Sequence, residues 1–388
     1  MSKPQRYRFL DLYRGLIVLF MLEGHVLRAL LTPELQQESW FMQHELLHGL
    51  TGPGFLFGAG FAFAIATQRR WDHLIAWTPA FLRRIWRVVL IIFIGYALHL
   101  PYLSLRKTFT QSTPQQWDAL FAFDVLQCIG LTLLGLRLLL VILRNEKVFV
   151  WSVIILGLAI VYATPPVWEP RFVVSLPRVM AQAVNGLGAS PFPIFPFSGF
   201  LLSGTVVAWL FLRRAQEGTE DRFTRNLAIF GVFLVGFGYG IDVLPFQTYG
   251  NYNFWFTSPN YFWIRLGYLL LLLSGLWLLE SLVRHREDHD IWMPKWLINL
   301  GIESFAVYIA HLILLYGWVT NPLDNMTSWW GLKLTLWQST FAFILFTIVM
   351  VGISQLWHFV KKRHPVLMQG VYWYLGGMVV YQFLVNPY

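Results

Sequence analysis

The chain has few charged residues and almost no cysteine. Charged residues make up 13% of its 388 residues, and Cys128 is the single cysteine. The surface of a soluble domain of this length would need more charged residues. The composition therefore excludes a soluble globular domain. One cysteine excludes a disulfide framework and a thiolate metal site. The sequence also lacks a glycine-rich phosphate loop and a dinucleotide-binding fingerprint, so no nucleotide site can be recognised from a motif.

Apolar residues dominate what is present. They make up 56% of the chain, and the mean hydropathy is +0.54. A bilayer is crossed by about 20 mostly apolar residues, and segments of that kind recur along nearly the whole chain. The sequence therefore predicts an all-α integral membrane protein with 10 to 11 transmembrane helices, forming one domain over residues 1–388. The predicted spans are Leu10–Leu31, Gly49–Thr67, Ile85–Ser104, Ala119–Leu143, Val148–Ala163, Phe192–Leu212, Leu227–Leu244, Phe262–Leu282, Leu297–Trp318, Leu336–Val360 and Val366–Val385.

Lysine and arginine fall unequally on the two sides of these spans. With the N-terminus inside, 20 of the 29 lie on the cytoplasmic side and seven on the other. Because positively charged loops stay inside, this bias predicts a cytoplasmic N-terminus and a place in the inner (cytoplasmic) membrane. The net charge of +9 then reflects basic residues that stay on the cytoplasmic side and meet the anionic lipid headgroups of the bilayer. It does not require a nucleic-acid partner.

Histidines and acids collect at one end of the predicted spans. In this orientation the outer ends hold His25, His44, His48, His99, Asp124, Asp242 and His311. An ionisable group is costly within a bilayer and usually faces a cavity or a partner, and imidazole exchanges protons near neutral pH. We therefore predict a catalytic site at the outer ends, with His25, His44, His311 and Asp124 as its candidate residues.

Five sequence blocks resemble those of one enzyme family. The opening RFLDLYRGLIVLFMLEGH is similar to the Leu-Asp-x-x-Arg-Gly signature of the heparan-α-glucosaminide N-acetyltransferase family, and HELLHGLT resembles its His-x-x-x-x-Gly-Leu-Thr. FDVLQCIGL, FPIFPFSGFLLSG and GIESFAVYIAH resemble further elements, in the same order. The chain thus resembles the catalytic core of that family. It departs at Glu303, where the family usually has Asn, and at His25, where the heparan enzyme has Asn and bacterial relatives often carry His.

The resemblance implies an acyl-CoA-dependent acyltransferase. It would move an acetyl group from cytoplasmic acetyl-CoA to an amine or hydroxyl of an extracytoplasmic sugar or glycan, with the histidine matched by His44 as the catalytic residue and no metal. The sequence leaves open whether His44 acts as a base or as the nucleophile that carries the acyl group. It also leaves open the acceptor and the number of subunits, a homo-oligomer included.

Separate stretches of the sequence are candidates for binding the acetyl-CoA donor and the sugar acceptor. Arg69, Arg70, Arg83 and Arg84 lie in the amphipathic stretch from Gln68 to Arg87 and could meet the phosphates of CoA, although an interfacial helix on anionic lipid has the same pattern. Arg14, three residues after Asp11, would either pair with that acid or anchor a ligand. The long outer loops 165–191 and 245–261 are aromatic and suit a sugar or the membrane interface equally.

A small-solute transporter is the alternative function. Its intramembrane charges would form an ion or substrate path near the midplane. The grouping of histidines at one rim favours the enzyme.

Overall fold

The computed structural model describes residues 7–75, 77–244, 249–250, 253–283 and 294–387. Residue 76 of the arginine-rich stretch and residues 245–248 and 251–252 of the second outer loop lie outside the described residues. Four of the basic residues predicted to be cytoplasmic also lie outside them, namely Lys3, Arg6, Arg284 and Arg286.

Regular structure in this part of the chain is helical, apart from an isolated bridge between Leu31 and Leu334. The helices are α1 Arg8–Leu30, α2 Pro33–Gln36, α3 Ser39–His48, α4 Thr51–Gln68, α5 Trp71–Leu74, α6 Pro79–Leu98, α7 Leu105–Gln111, α8 Pro114–Phe121, α9 Val125–Leu143, α10 Glu146–Val167, α11 Pro170–Val173, α12 Arg178–Val184, α13 Ile194–Gln216, α14 Glu220–Asp242, α15 Pro259–Val283, α16 Lys295–Ile302, α17 Ser304–Tyr316, α18 Met326–Trp330, α19 Leu336–Arg363 and α20 Pro365–Val385.

Every predicted span coincides with a helix or a helix pair, which confirms the all-helical class. Within the described residues, seven helices are long and apolar enough to cross a membrane, with α3 and α4 taken together as Ser39–Gln68. The number becomes eight if the bent pair α16 and α17 is one span. Helices α1, α6 and α20 have 23, 20 and 21 residues and occupy three further predicted spans. The predicted number of 10 to 11 and the cytoplasmic N-terminus stay predictions.

The predicted span from Leu297 to Trp318 is formed by two helices and not by one straight helix. The chain bends there by 84° between α16 and α17. Glu303 lies at the break with φ −97° and ψ 20°, outside helical geometry. Its side chain is buried and receives hydrogen bonds from His358 Nδ1 at 2.9 Å and Lys361 Nζ at 2.6 Å, both on α19. These contacts hold the break in place.

The described chain divides into two compact units, and the predicted single domain stays a prediction. The first unit comprises residues 1–51, 100–117 and 283–388. Helix α1 is its central element, because it packs against α16, α17 and α19. The approach of α1 to α16 is close: a Cβ on Gly15 would lie 2.2 Å from the Leu297 carbonyl oxygen, and one on Gly301 would lie 2.1 Å from that of Asp11. Small residues allow such contact between membrane helices.

The second unit comprises residues 52–99 and 118–282. Here α13 packs against α9, α10 and α14. The glycine-rich run of α4 also contacts α13, because a Cβ on Gly60 would lie 1.9 Å from the Leu201 carbonyl oxygen and one on Gly204 would lie 2.1 Å from that of Phe57. Gly60, in the glycine-rich run after His48, therefore serves helix packing.

Candidate functional site

A small apolar cluster fixes α3 against α1 in the first unit. Leu27 and Leu31 at the end of α1 bury Phe41 of α3. His44 follows Phe41 by three residues and Glu23 precedes Leu27 by four, and each separation is about one helical turn. The two helices therefore meet with His44 opposite Glu23.

His44 and Glu23 form a hydrogen-bonded pair. His44 Nε2 lies 2.7 Å from one carboxylate oxygen of Glu23 and 2.8 Å from the other. The side chains keep 17% and 27% of their exposure, so the pair is partly shielded from solvent. Because an ionised carboxylate can only accept hydrogen bonds, Nε2 carries a proton and Nδ1 is the basic nitrogen of the neutral ring.

The Nδ1 atom of His44 has no hydrogen-bond partner among the described residues, and it is buried. A buried polar atom without a partner is costly, and such atoms often mark a ligand or a reacting group. A general base needs a free lone pair with its other nitrogen held by an orienting group. His44 and Glu23 have this arrangement.

The structure brings the other predicted histidines of this unit into one cluster. His44 stacks on His48 with ring centroids 6.4 Å apart and planes 5° from parallel. His48 lies 5.8 Å from His25, and His25 lies 5.1 Å from His311. We call these four residues the histidine cluster; in order of contact they are His44, His48, His25 and His311. His48, which is not among the residues predicted to be catalytic, connects His44 to the other two.

The far end of the histidine cluster is fixed by hydrogen bonds. His25 Nδ1 lies 2.8 Å from the Tyr316 hydroxyl. His311 is fully buried, and its Nδ1 donates to the Val307 carbonyl at 3.2 Å. The Nε2 atom of His311 has no partner among the described residues. With the Nδ1 atoms of His44 and His48, it is one of three buried ring nitrogens of the cluster that have no hydrogen-bond partner among the described residues.

Asp124 belongs to the second unit. One of its carboxylate oxygens accepts the Val125 backbone N–H at 2.7 Å and caps α9, while the other lies 3.7 Å from His99 Nε2. The histidine that Asp124 contacts is therefore His99.

Among the predicted phosphate ligands, Arg14 is in the first unit, where its Nη2 donates to the Ser304 hydroxyl at 2.8 Å. Arg69, Arg70 and Arg83 are exposed in the second unit, and Arg84 is half-buried.

Arg84 lies within electrostatic range of Arg70 and Arg87, and Arg137 of α9 lies within range of Arg84 and Arg87. We call residues 70, 84, 87 and 137 the basic cluster. Arg137 packs over the Phe63 ring at 5.5 Å, and its Nε is buried without a hydrogen-bond partner among the described residues. Like charges held together repel, so the basic cluster favours a bound anion.

The sequence did not identify Glu23 or Arg137 as site residues. Both carry a charge inside a long helix, which is itself a signal of function. Their partners, however, are distant along the chain: Glu23 meets a residue 21 positions away. Local periodicity contains no information about that pairing.

A family model described as heparan-alpha-glucosaminide N-acetyltransferase, catalytic, matches residues 6–238. The match covers 233 of the 388 residues and includes Glu23, His25 and His44. It ends before the block from Gly301 to His311, whose resemblance to the family stays a prediction. No curated protein matches the chain. The described residues contain no group of three or more histidine, cysteine or acidic side chains that could hold a metal ion.

Proposed function

The chain belongs to the heparan-alpha-glucosaminide N-acetyltransferase family, as its motifs predict, and we propose that it transfers an acetyl group from cytoplasmic acetyl-CoA to an amine or hydroxyl of an extracytoplasmic sugar. Membership in a family of membrane acyltransferases favours this enzyme over a transporter. The observation that carries the proposal is the free Nδ1 of His44, in a ring oriented by Glu23.

In the proposed reaction His44 acts as a general base. Its Nδ1 accepts the proton of the acceptor hydroxyl or amine while the acceptor oxygen or nitrogen attacks the thioester carbonyl. The C–S bond of acetyl-CoA then breaks, and the imidazolium returns the proton to the departing CoA thiolate. Glu23 holds the ring and stabilises the imidazolium that forms, as the acid does in a Ser-His-Asp triad.

The same nitrogen could accept the acetyl group itself. The geometry favours the proton, because Nδ1 is next to the ring carbon that carries the side chain, and an acetyl group there would be crowded by Cβ. Incubation with acetyl-CoA in the absence of acceptor should therefore leave His44 unmodified when the protein is digested and its peptides are weighed. Stoichiometric acetyl-His44 that disappears on addition of acceptor would replace the base mechanism with a covalent one.

The proposed activity itself can be tested on whole cells. Surface glycans from cells with and without the protein should differ by the mass of an acetyl group in mass spectrometry. Restoring the wild-type protein should restore that mass, whereas His44→Ala should not. Identical glycan masses, together with no acetyl transfer by the purified protein to any sugar amine or hydroxyl, would contradict the proposal.

We propose that the basic cluster binds phosphates of the donor. Charge-assisted hydrogen bonds to phosphate contribute about 1.5–3 kcal/mol each, so Arg137→Gln should raise the KM for acetyl-CoA roughly tenfold or more and leave kcat nearly unchanged. Steady-state kinetics at varied acetyl-CoA measure this. Arg171→Gln is the control, because Arg171 is 85% exposed and pairs with Glu169. An unchanged KM for Arg137→Gln would contradict the phosphate role.

Gly24 leaves space for the His48 ring of the histidine cluster. A Cβ at this position would lie 1.7 Å from His48 Nδ1, so Gly24→Ala must displace the His48 ring. Alanine normally stabilises a helix by about 1 kcal/mol over glycine, yet we expect Gly24→Ala to lower the acetyl-transfer rate by about tenfold or more. Gly240→Ala on α14 is the control, since a Cβ there meets nothing within 4 Å. Full activity of Gly24→Ala would show that the position of His48 does not matter.

A further inference from the structure

The second unit contains an apolar groove that the proposed reaction does not use. Its volume is about 410 Å³, within the range of about 300–1,000 Å³ typical of ligand sites. Helices α10, α13, α14 and α15 form its walls, with side chains such as Leu202, Phe230, Phe262 and Trp263. Apart from the indole of Trp263, the polar side chains that line it are Ser203 and Asn226. The groove therefore suits a hydrocarbon chain.

Gly157 of α10 keeps part of this space open. A Cβ at this position would lie 3.7 Å from Leu202 Cβ, which is an ordinary van der Waals contact. The backbone approach therefore does not require glycine here. A larger side chain at position 157 would project into the groove and fill it.

Basic residues neighbour the groove-lining residues along three of its four helices. Along α14 the lining residues Phe223 and Asn226 directly follow Arg222 and Arg225, both exposed. On α13, the lining residue Leu210 lies one turn before Arg213 and Arg214. On α10, Lys147 lies two turns before the lining residue Ile154, on the same face of the helix. The basic rim consists of Lys147, Arg213, Arg214, Arg222 and Arg225.

Three acids close to the basic rim are bonded to protein groups. Glu146 accepts the Trp209 indole N–H at 2.5 Å, and Asp221 accepts the Trp277 indole N–H at 2.7 Å. Glu217 pairs with Arg214 at 2.6 Å. Arg222 and Arg225 are thus placed to meet a phosphate at the membrane surface, where each basic residue adds to the attraction of anionic lipid.

We propose that the groove binds an acyl chain of one anionic phospholipid, with its phosphate against Arg222 and Arg225. Packing against shaped walls retains the chain, since lipid tails gain little from the hydrophobic effect inside a bilayer. The charge of the rim selects the headgroup. This site is independent of the acyl-transfer reaction and would stand if that reaction proved different.

The test measures the lipid that stays with purified protein. Wild type, Gly157→Phe and Gly236→Phe are extracted from the same membranes, and native mass spectrometry counts the bound phospholipids. Gly236 on α14 is the matched control, because a Cβ there meets nothing within 4 Å. We expect Gly157→Phe to lose one phosphatidylglycerol-class lipid that wild type and Gly236→Phe keep. Equal retention by a folded Gly157→Phe, or a retained lipid that is zwitterionic, would overturn the proposal.

A double variant of exposed residues decides the headgroup contact even if Gly157→Phe fails to fold. Arg222→Gln with Arg225→Gln should reduce retention of phosphatidylglycerol at least about tenfold in competition with phosphatidylcholine. The exposed pair variant Arg171→Gln with Arg178→Gln should keep the wild-type preference. An unchanged preference in the Arg222 and Arg225 variant would overturn the proposed site.

Discussion

Replacing His44 by alanine should lower kcat for acetyl transfer by about 10²–10⁴-fold, which is the contribution usual for a general base. The reason is that His44 Nδ1 is the free basic nitrogen of a ring whose other nitrogen is held by Glu23. The KM for acetyl-CoA should change little, because the phosphates are proposed to bind elsewhere. Initial rates with radiolabelled acetyl-CoA and a sugar amine measure both constants.

His364→Ala is the matched control for this experiment. His364 is an exposed histidine between α19 and α20 and should tolerate the change with full activity. If His44→Ala retained wild-type kcat while remaining folded, His44 would not be the base.

Glu23 should act as a positioning residue for His44. Glu23→Gln keeps the size of the side chain but removes its charge, so the ring loses both its fixed tautomer and the stabilisation of its protonated form. We expect kcat to fall about 10²-fold and the acid limb of the pH–rate profile to move to lower pH, because the ring without the carboxylate stays neutral, and therefore basic, in more acidic solution. Glu23→Asp, which keeps the carboxylate, should recover part of the rate. A purely structural role would change stability without altering the pH profile of the folded enzyme.

Removing Lys361 should produce the largest loss of stability that we predict for one side chain. Glu303 is 4% exposed, and Lys361 Nζ neutralises it from 2.6 Å. Breaking a buried ion pair costs about 3–5 kcal/mol, and we reduce this to about 2 kcal/mol because Lys361 is 41% exposed and His358 still bonds the carboxylate. Thermal unfolding of Lys361→Met in detergent should therefore show a Tm several degrees below wild type.

A second substitution tests whether the unpaired charge of Glu303, and not the loss of the lysine side chain itself, lowers the stability. Glu303→Gln combined with Lys361→Met should recover most of the lost stability, because a neutral amide does not require a cation. Lys362→Met, which changes the exposed neighbour, should behave as wild type. A double variant no more stable than Lys361→Met alone would show that the charge of Glu303 is not the cause.

Glu303 also illustrates the limit of the sequence comparison. The sequence shows that Glu303 stands where the family usually has asparagine. It does not show which residues this acid contacts. The structure shows that the acid is accompanied by Lys361 and His358, which lie 58 and 55 residues further on. It also shows that the acid stands at the break between α16 and α17, inside the predicted span Leu297–Trp318.

The sequence by itself determined the membrane class, the positions of the long helices and the family. Those features depend on local composition and on motifs of a few residues, and hydropathy is additive along a helix. It also indicated His44, because a histidine beside a span is rare and expensive.

Only the tertiary structure decided what His44 contacts. The pairing with Glu23, the position of His48 between His44 and His25, and the approach of Arg137 to Arg84 and Arg87 join helices that are distant along the chain. Which faces of two helices meet depends on the packing of side chains such as Phe41 between Leu27 and Leu31 and on glycines such as Gly24. Packing of this kind is a property of the assembled helices, and no single segment contains it.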